Sequence, residues 1–391
     1  MPTTTGAGER SRGPAGDLRE LAVLFLRLGV TAFGGPAAHI AMMQDEVVTR
    51  RGWLTADEFL DLLGATSLIP GPNSTELAIH IGHRRGGLRG LVVAGVCFIV
   101  PAALITAAIA WMYVRYGDLP QVGGVLYGVK PVIIAVVVQA VWMLGRSALT
   151  TSFAIVVAAL CLAARVAGAH ELLIILVAGF VVAAVRGQPK RPAAAAMLGG
   201  LQAIPFVPVG TGALAGAAPI SLFKLAWVFV KIGSTLFGSG YVLLAFLRAD
   251  FVERLGWLTE RQLLDAVAVG QLTPGPVLST ATFVGYIIAG GAGAVLSTMA
   301  IFAPAFILVA LSGVLLPRIG RSPVARAFLD GVNIASLSVM AAVSWELGWA
   351  ALVDPLTIVM AAASAVLLVR YRVNSAWLVV GGAALGFTVH H

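Results

Sequence analysis

Charge is what this chain has least of. Of its 391 residues, 11% are Asp, Glu, Lys or Arg and 59% are hydrophobic, whereas a soluble domain carries roughly 25% charged residues. So few charges cannot cover a water-facing surface, and the mean hydropathy of +0.94 agrees. The expectation is an all-α polytopic membrane protein whose first partner is the lipid bilayer. Cysteine is scarce as well: Cys97 and Cys161 sit in apolar runs and read as small buried residues, not as a disulfide or metal site. HExxH, GxSxG, Walker and CxxC patterns are missing, which removes the common hydrolytic, ATP-driven and redox chemistries. The reading is of a non-enzyme with no catalytic residue, metal or cofactor, working on ion or voltage gradients. No short apolar stretch ends in a cleavage site, so residues 1–20 read as a polar, partly disordered cytoplasmic tail. The net charge of +8 sits in short loops between apolar runs, the pattern of cytoplasmic loops rather than of a nucleic-acid surface.

What is present is a repeat. Shifted by 204 positions the sequence matches itself: "RLGVTAFGGP" from Arg27 lies over "KIGSTLFGSG" from Lys231, and "RRGWLTADEFLDLL" from Arg50 over "RLGWLTERQLLDAV" from Arg254. Between 27 and 72 there are 17 identities without a gap, and after one deletion Pro101 lies over Pro304. Two copies of one unit follow, residues 21–186 and 221–391. Loops that are basic in one copy are not in the other. Arg84, Arg85 and Arg89 face "IIAGGAG" at 287–293, while Arg318, Arg321 and Arg326 face a stretch with Arg115 alone. Such alternation predicts an inverted repeat, with the copies inserted in opposite senses. Inversion requires an extra crossing within the connecting segment 187–220. The uncharged stretch 193–217 is long enough for one, though its glycines and prolines equally suit an extended linker.

Each copy also interrupts its first two apolar runs: at "FGGP" 33–36 and "PGP" 70–72, and again at "FGSG" 237–240 and "PGP" 274–276. The pieces are about 11 to 13 residues, or ~16–20 Å of helix, half of a ~30 Å hydrocarbon core. The cuts therefore fall near mid-membrane if the runs span, or at the tip if they are re-entrant. Broken helices free polar backbone groups, which are tolerated only against protein or a wet cavity. Pro72 suits the first turn of a new helix, and the amides at that helix start can hold an anion. The candidate anion site is thus Gly34, Gly35, Pro70, Gly71, Asn73, Ser74 and Thr75, with Gly238, Ser239, Gly240, Gly275, Ser279 and Thr280 in the second copy. Ordinary kinks and close packing are the alternative use of the same residues.

Charges inside the apolar runs extend the set. Arg27 and Lys231 are equivalent; a cation there costs at least ~2.5–3.5 kcal/mol and marks a pathway, unless it snorkels to the surface. Lys130 has Asn333 as its counterpart. Glu76, replaced by Thr280 in the second copy, either carries a proton or caps the new helix. Asp61 and Asp265 are equivalent and sit nine residues before PGP, where an interfacial helix could simply expose them. His39 and His80 could titrate near neutral pH, or serve as satisfied structural residues. Glu76, His80, Lys130, Asp61 and Asp265 are the coupling candidates.

The stretches "FGGPAAHIAMMQDEVV", "GWLTADEFLDLLGATSLIPGPNSTELAIHIG" and "FGSGYVLLAFLRADFVERLGWLTERQLLDAVAVGQLTPGP", with "PAFILV" further on, resemble the chromate ion transporter family in its long two-domain form. The resemblance covers both copies. It implies a protein of the bacterial inner membrane that exports chromate from the cytoplasm. The family's motif positions fall on Phe33 to Pro36 and Pro70 to Pro72, and on Phe237 to Gly240 and Pro274 to Pro276; Gly240 stands where the first copy has Pro36. Sulfate or another tetrahedral oxyanion is a second cargo reading, an anion channel a third, and a homo-oligomer is left open.

Overall fold

The structure, a computed structural model, describes residues 14–33, 35–66, 68–117, 120–187, 220–237, 242–319, 322–371 and 373–389, among which there is no strand. Among the described residues, four helical segments are long and apolar enough to cross a membrane: Asn73–Tyr116, Val122–Ala148, Val277–Ser312 and Pro323–Ala351. Their faces are divided by exposure. Along the first, Leu88, Val92, Val96, Val100 and Leu104 are exposed at every fourth position, while Leu91, Ala94, Phe98 and Ala102 are buried. That period of about four puts one greasy stripe toward lipid and another into the protein.

The first copy runs α1 (Pro14–Thr31), α2 (Gly35–Gln44) with a π-helical turn at Asp45–Arg50, α3 (Ala56–Thr66), α4 (Asn73–Tyr116), α5 (Pro120–Ala148), α6 (Ser152–Val166) and α7 (Glu171–Arg186). The second repeats it as α8 (Leu222–Thr235), α9 (Leu243–Leu247) with a π-helical turn at Arg248–Arg254, α10 (Glu260–Leu272), α11 (Thr280–Ile319), α12 (Pro323–Ala351), α13 (Pro355–Tyr371) and α14 (Ser375–Val389). The helix begins at Pro14, so the last part of the expected tail is helical. The expected crossing at 193–217 lies outside the described residues.

The broken runs are re-entrant hairpins. α1 goes in and α2 comes back, clamped by Arg27 to Glu46 at 2.9 Å. The connecting loop then meets the turn of the next hairpin. Arg51 and Arg85 both lie over the Trp53 ring, at 5.1 and 4.7 Å, and Arg84 donates to Glu58 at 3.1 Å. The Thr55 amide and Arg84 together hold the Glu58 carboxyl below its usual range. α3 goes in again, PGP forms the inner tip, and the first leg of α4 returns to a tight turn at Gly86–Gly87. Gly87 has φ 58°, ψ −147° and its counterpart Gly290 φ 63°, ψ −152°, backbone shapes that need glycine. The return leg from PGP and the longer apolar leg are therefore two legs of α4, joined at this turn. Gly29, near the tip of the first hairpin, packs on the backbone of Cys97 and Phe98. Phe98 lies 11 residues past Gly87, so the first tip sits about 16 Å along the helix from that turn.

The two copies run in opposite directions and interlock. Gly145 lies beside Leu337 and Ile134 beside Gly348, which makes α5 and α12 antiparallel. Tyr113, toward the far end of α4, lies against Phe283 on the return leg of the second copy's hairpin, with ring centroids 5.2 Å apart and planes tilted by 57°. α6 and α7 pack on α12, and α13 and α14 on α5. The backbones touch where side chains are missing, Gly331 against Ala178 and Gly128 against Gly382.

Candidate functional site

All four tips meet. The Gly71 N–H donates to Leu236 O at 2.6 Å, and the Gly275 N–H donates to Ala32 O at 2.9 Å. Residues 71 and 275 are equivalent, as are 32 and 236, so each PGP tip donates to the residue just before the other copy's FGG or FGS motif, and the two bonds are reciprocal. Gly71 has φ 143° and Gly275 φ 87°, positions where a side chain would be strained. Each would also collide: a Cβ on Gly71 would overlap the Glu76 carboxyl, and one on Gly275 would sit 2.8 Å from the Ala102 side chain. Pro72 is the residue before the new helix rather than in its first turn; its carbonyl accepts from Thr75 N at 2.8 Å and Glu76 N at 3.2 Å. Asn73 and Ser74 are then the first two amides of the α4 start.

The helix starts leave polar groups unmatched. Thr75 Oγ1 and Ser279 Oγ are buried without a hydrogen-bond partner, and these two residues are equivalent. Both carboxyl oxygens of Glu76, 0% exposed, are unpartnered too, as is His80 Nε2 one turn on. Thr280 spends its hydroxyl on Val277 O at 2.8 Å. His39 joins the first copy's tips: Nε2 lies 3.0 Å from Ala32 O and Nδ1 3.4 Å from Ser74 Oγ. With Nε2 protonated it donates to the same carbonyl that Gly275 uses. Leu243 and Leu278 stand at the equivalent positions, so this link exists once. Gly35, φ 78°, opens α2 at the first tip. Gly34, Gly238, Ser239 and Gly240 lie outside the described residues.

The charged candidates separate. Arg27 and Lys231 each have a carboxylate, Glu46 at 2.9 Å and Asp250 at 2.6 Å, again equivalent residues. They clamp hairpin legs and do not line the cavity described below, a placement the sequence gives no sign of because their partners sit 19 residues on. Asp61 is exposed, whereas its counterpart Asp265 is fully buried, 3.0 Å from Lys130 Nζ and accepting from Tyr113 OH at 2.8 Å. This cluster ties α4 and α5 of the first copy to α10 of the second.

A cavity of about 350 Å³ reaches the junction from the opposite end. Asn73, Phe237, Asn333 and Ser336 line it, with Arg186 and Asp330 also on its wall. It includes Ser147 and Ala148 at the end of α5, which lie 17 and 18 residues beyond Lys130, about 25 Å along the helix.

Paired re-entrant hairpins whose tips meet at a buried polar junction, in a chain with several bilayer-length apolar helices, define a multi-pass membrane transporter. The chain belongs to the chromate transporter family, whose model matches residues 19–184 and 223–387, one match per copy. It is 32% identical over 386 residues to a chromate transport protein of Cupriavidus metallidurans, covering 98% of this chain and 96% of that one. It is 32% identical over 343 residues to a probable chromate transport protein of Synechococcus elongatus, covering 87% of each. A chromate transport protein of Pseudomonas aeruginosa is 32% identical over 338 residues, 84% of this chain and 80% of its own. No solved structure matches.

Proposed function

We propose that this protein exports chromate across a bacterial inner membrane by alternating access, the two repeat units 21–186 and 221–391 moving about the joined tips. The observation that carries the reading is the reciprocal hydrogen-bonded junction with unmatched hydroxyls at both helix starts. It offers oriented amides and hydroxyls to a dianion at half-membrane depth, without a fixed cation that would hold it too firmly to release. The relatives' names supply the identity of that dianion.

Orientation and driving force follow from charge. Arg50, Arg51, Arg84 and Arg85 gather where the first copy's hairpins turn, and Arg146, Arg186 and Arg326 lie at that same end of α5, α7 and α12. Basic loops stay in the cytoplasm, so the cavity opens inward, ready to load. Moving one charge through 100 mV is worth about 2.3 kcal/mol, so a dianion leaving a negative interior gains about 4.6 kcal/mol per 100 mV. Voltage alone can drive export. Inside-out vesicles test this. Chromate uptake should saturate and fall when the voltage is collapsed and persist when only the proton gradient is. Uptake indifferent to voltage would refute the driving force, currents of a channel's size would refute the carrier, and equal transport of sulfate would widen the cargo.

A further inference from the structure

Resting on that transport reading, we infer that α12 supplies an oxyanion-binding subsite between the cavity mouth and the junction, formed by the Asn333 amide and the Ser336 hydroxyl together with Asn73. The three residues line one cavity. Ser336 is only 2% exposed, and its hydroxyl has no hydrogen-bond partner. Its neighbours on the same helix behave differently. Ser338 donates to Ile334 O at 2.9 Å and Ser344 to Met340 O at 2.6 Å, the usual way for a serine to satisfy itself inside a helix. A buried hydroxyl left unmatched is costly and calls for a ligand.

Asn333 lies one turn before Ser336, on the same face of the helix. The equivalent positions in the first copy hold Lys130 and Ile133, so the fold itself accepts an apolar residue where Ser336 stands. Fixed charge is confined to the exposed Arg186 and Asp330. The Arg186 guanidinium engages Thr151 at 2.5 Å and the Phe153 ring at 4.9 Å rather than a carboxylate, so it can attract an anion from the basic end. The deeper groups are neutral donors. Such a set suits a tetrahedral oxyanion whose four oxygens accept several hydrogen bonds at once, and it binds without the grip of a buried ion pair.

The test is equilibrium binding of radiolabelled chromate to the purified full-length protein in detergent, with folding of each variant checked by thermal unfolding. Ser336→Ala and Asn333→Ala are each expected to weaken binding tenfold or more, the size of one hydrogen bond to a charged group, roughly 1.5 kcal/mol. Ser338→Ala, whose hydroxyl is already spent on Ile334 O, should bind as the parent does. If the parent binds chromate and Ser336→Ala and Asn333→Ala bind it equally well, the subsite is overturned while the transport reading stands. If the parent binds neither chromate nor sulfate, the transport reading fails and the subsite with it.

Discussion

Lys130 and Asp265 permit a quantitative prediction, because the two halves of their ion pair are buried to different depths. Asp265 is 0% exposed and the Lys130 side chain 14%. Lys130→Met would leave a carboxylate in the interior with only the Tyr113 hydroxyl to answer it, and breaking a buried pair this way costs about 3–5 kcal/mol. Asp265→Asn keeps an acceptor for Tyr113 and leaves a lysine whose stem can carry its head toward water, a loss nearer 1–2 kcal/mol, about that of one charged hydrogen bond. The double variant removes both charges and should return to within about 1 kcal/mol of the parent, since buried pairs replaced by neutral groups are often no worse. Thermal unfolding of the four purified proteins measures the cycle. Because the cluster joins the two copies on the side away from the cavity, Lys130→Met should also raise labelling of a cysteine placed at Ile109, one turn from Tyr113, by an impermeant thiol reagent applied from the side opposite the basic loops. Additive losses in the cycle, with the double variant the least stable, would refute the reasoning.

Three further outcomes are expected. Gly71→Ala and Gly275→Ala should abolish chromate transport. Gly52→Ala, at φ 59° with nothing within 4 Å, meets only the ~1–2 kcal/mol backbone penalty and should keep transport; equal activity of all three would show that the tips need no close fit. Arg27→Ala and Lys231→Ala should lower the maximal rate in vesicles while chromate binding stays unchanged, since these cations clamp hairpins; weakened binding would return them to the anion's path. Glu76→Gln keeps the shape of the side chain over Gly71 but cannot gain or lose a proton. The pH dependence of chromate transport should flatten in this variant, and an unaltered pH profile would exclude Glu76 as the titrating group.

The all-α fold and the helix break at each PGP were legible in the sequence, because each leaves a local mark: long apolar runs with few charges, and proline with glycine. What the sequence could not reveal is which tip meets which. The Gly71–Leu236 and Gly275–Ala32 bonds join backbone atoms, and backbone atoms leave no trace in residue identity. Lone charges misled for a related reason. Arg27, Lys231 and Asp265 look stranded in apolar runs, but their partners lie on neighbouring helices, at Glu46, Asp250 and Lys130. Ser336 gave no signal, since one serine among apolar residues resembles Ser338 until the hydrogen bonds are seen.

The crossed tip bonds also make the two halves mutually dependent. A lone unit would leave its Gly71 or Gly275 amide without the acceptor it has here, so neither half is complete by itself. Equivalent positions nonetheless hold His39 and Leu243, Glu76 and Thr280, and Lys130 and Asn333, so the two halves are not chemically interchangeable.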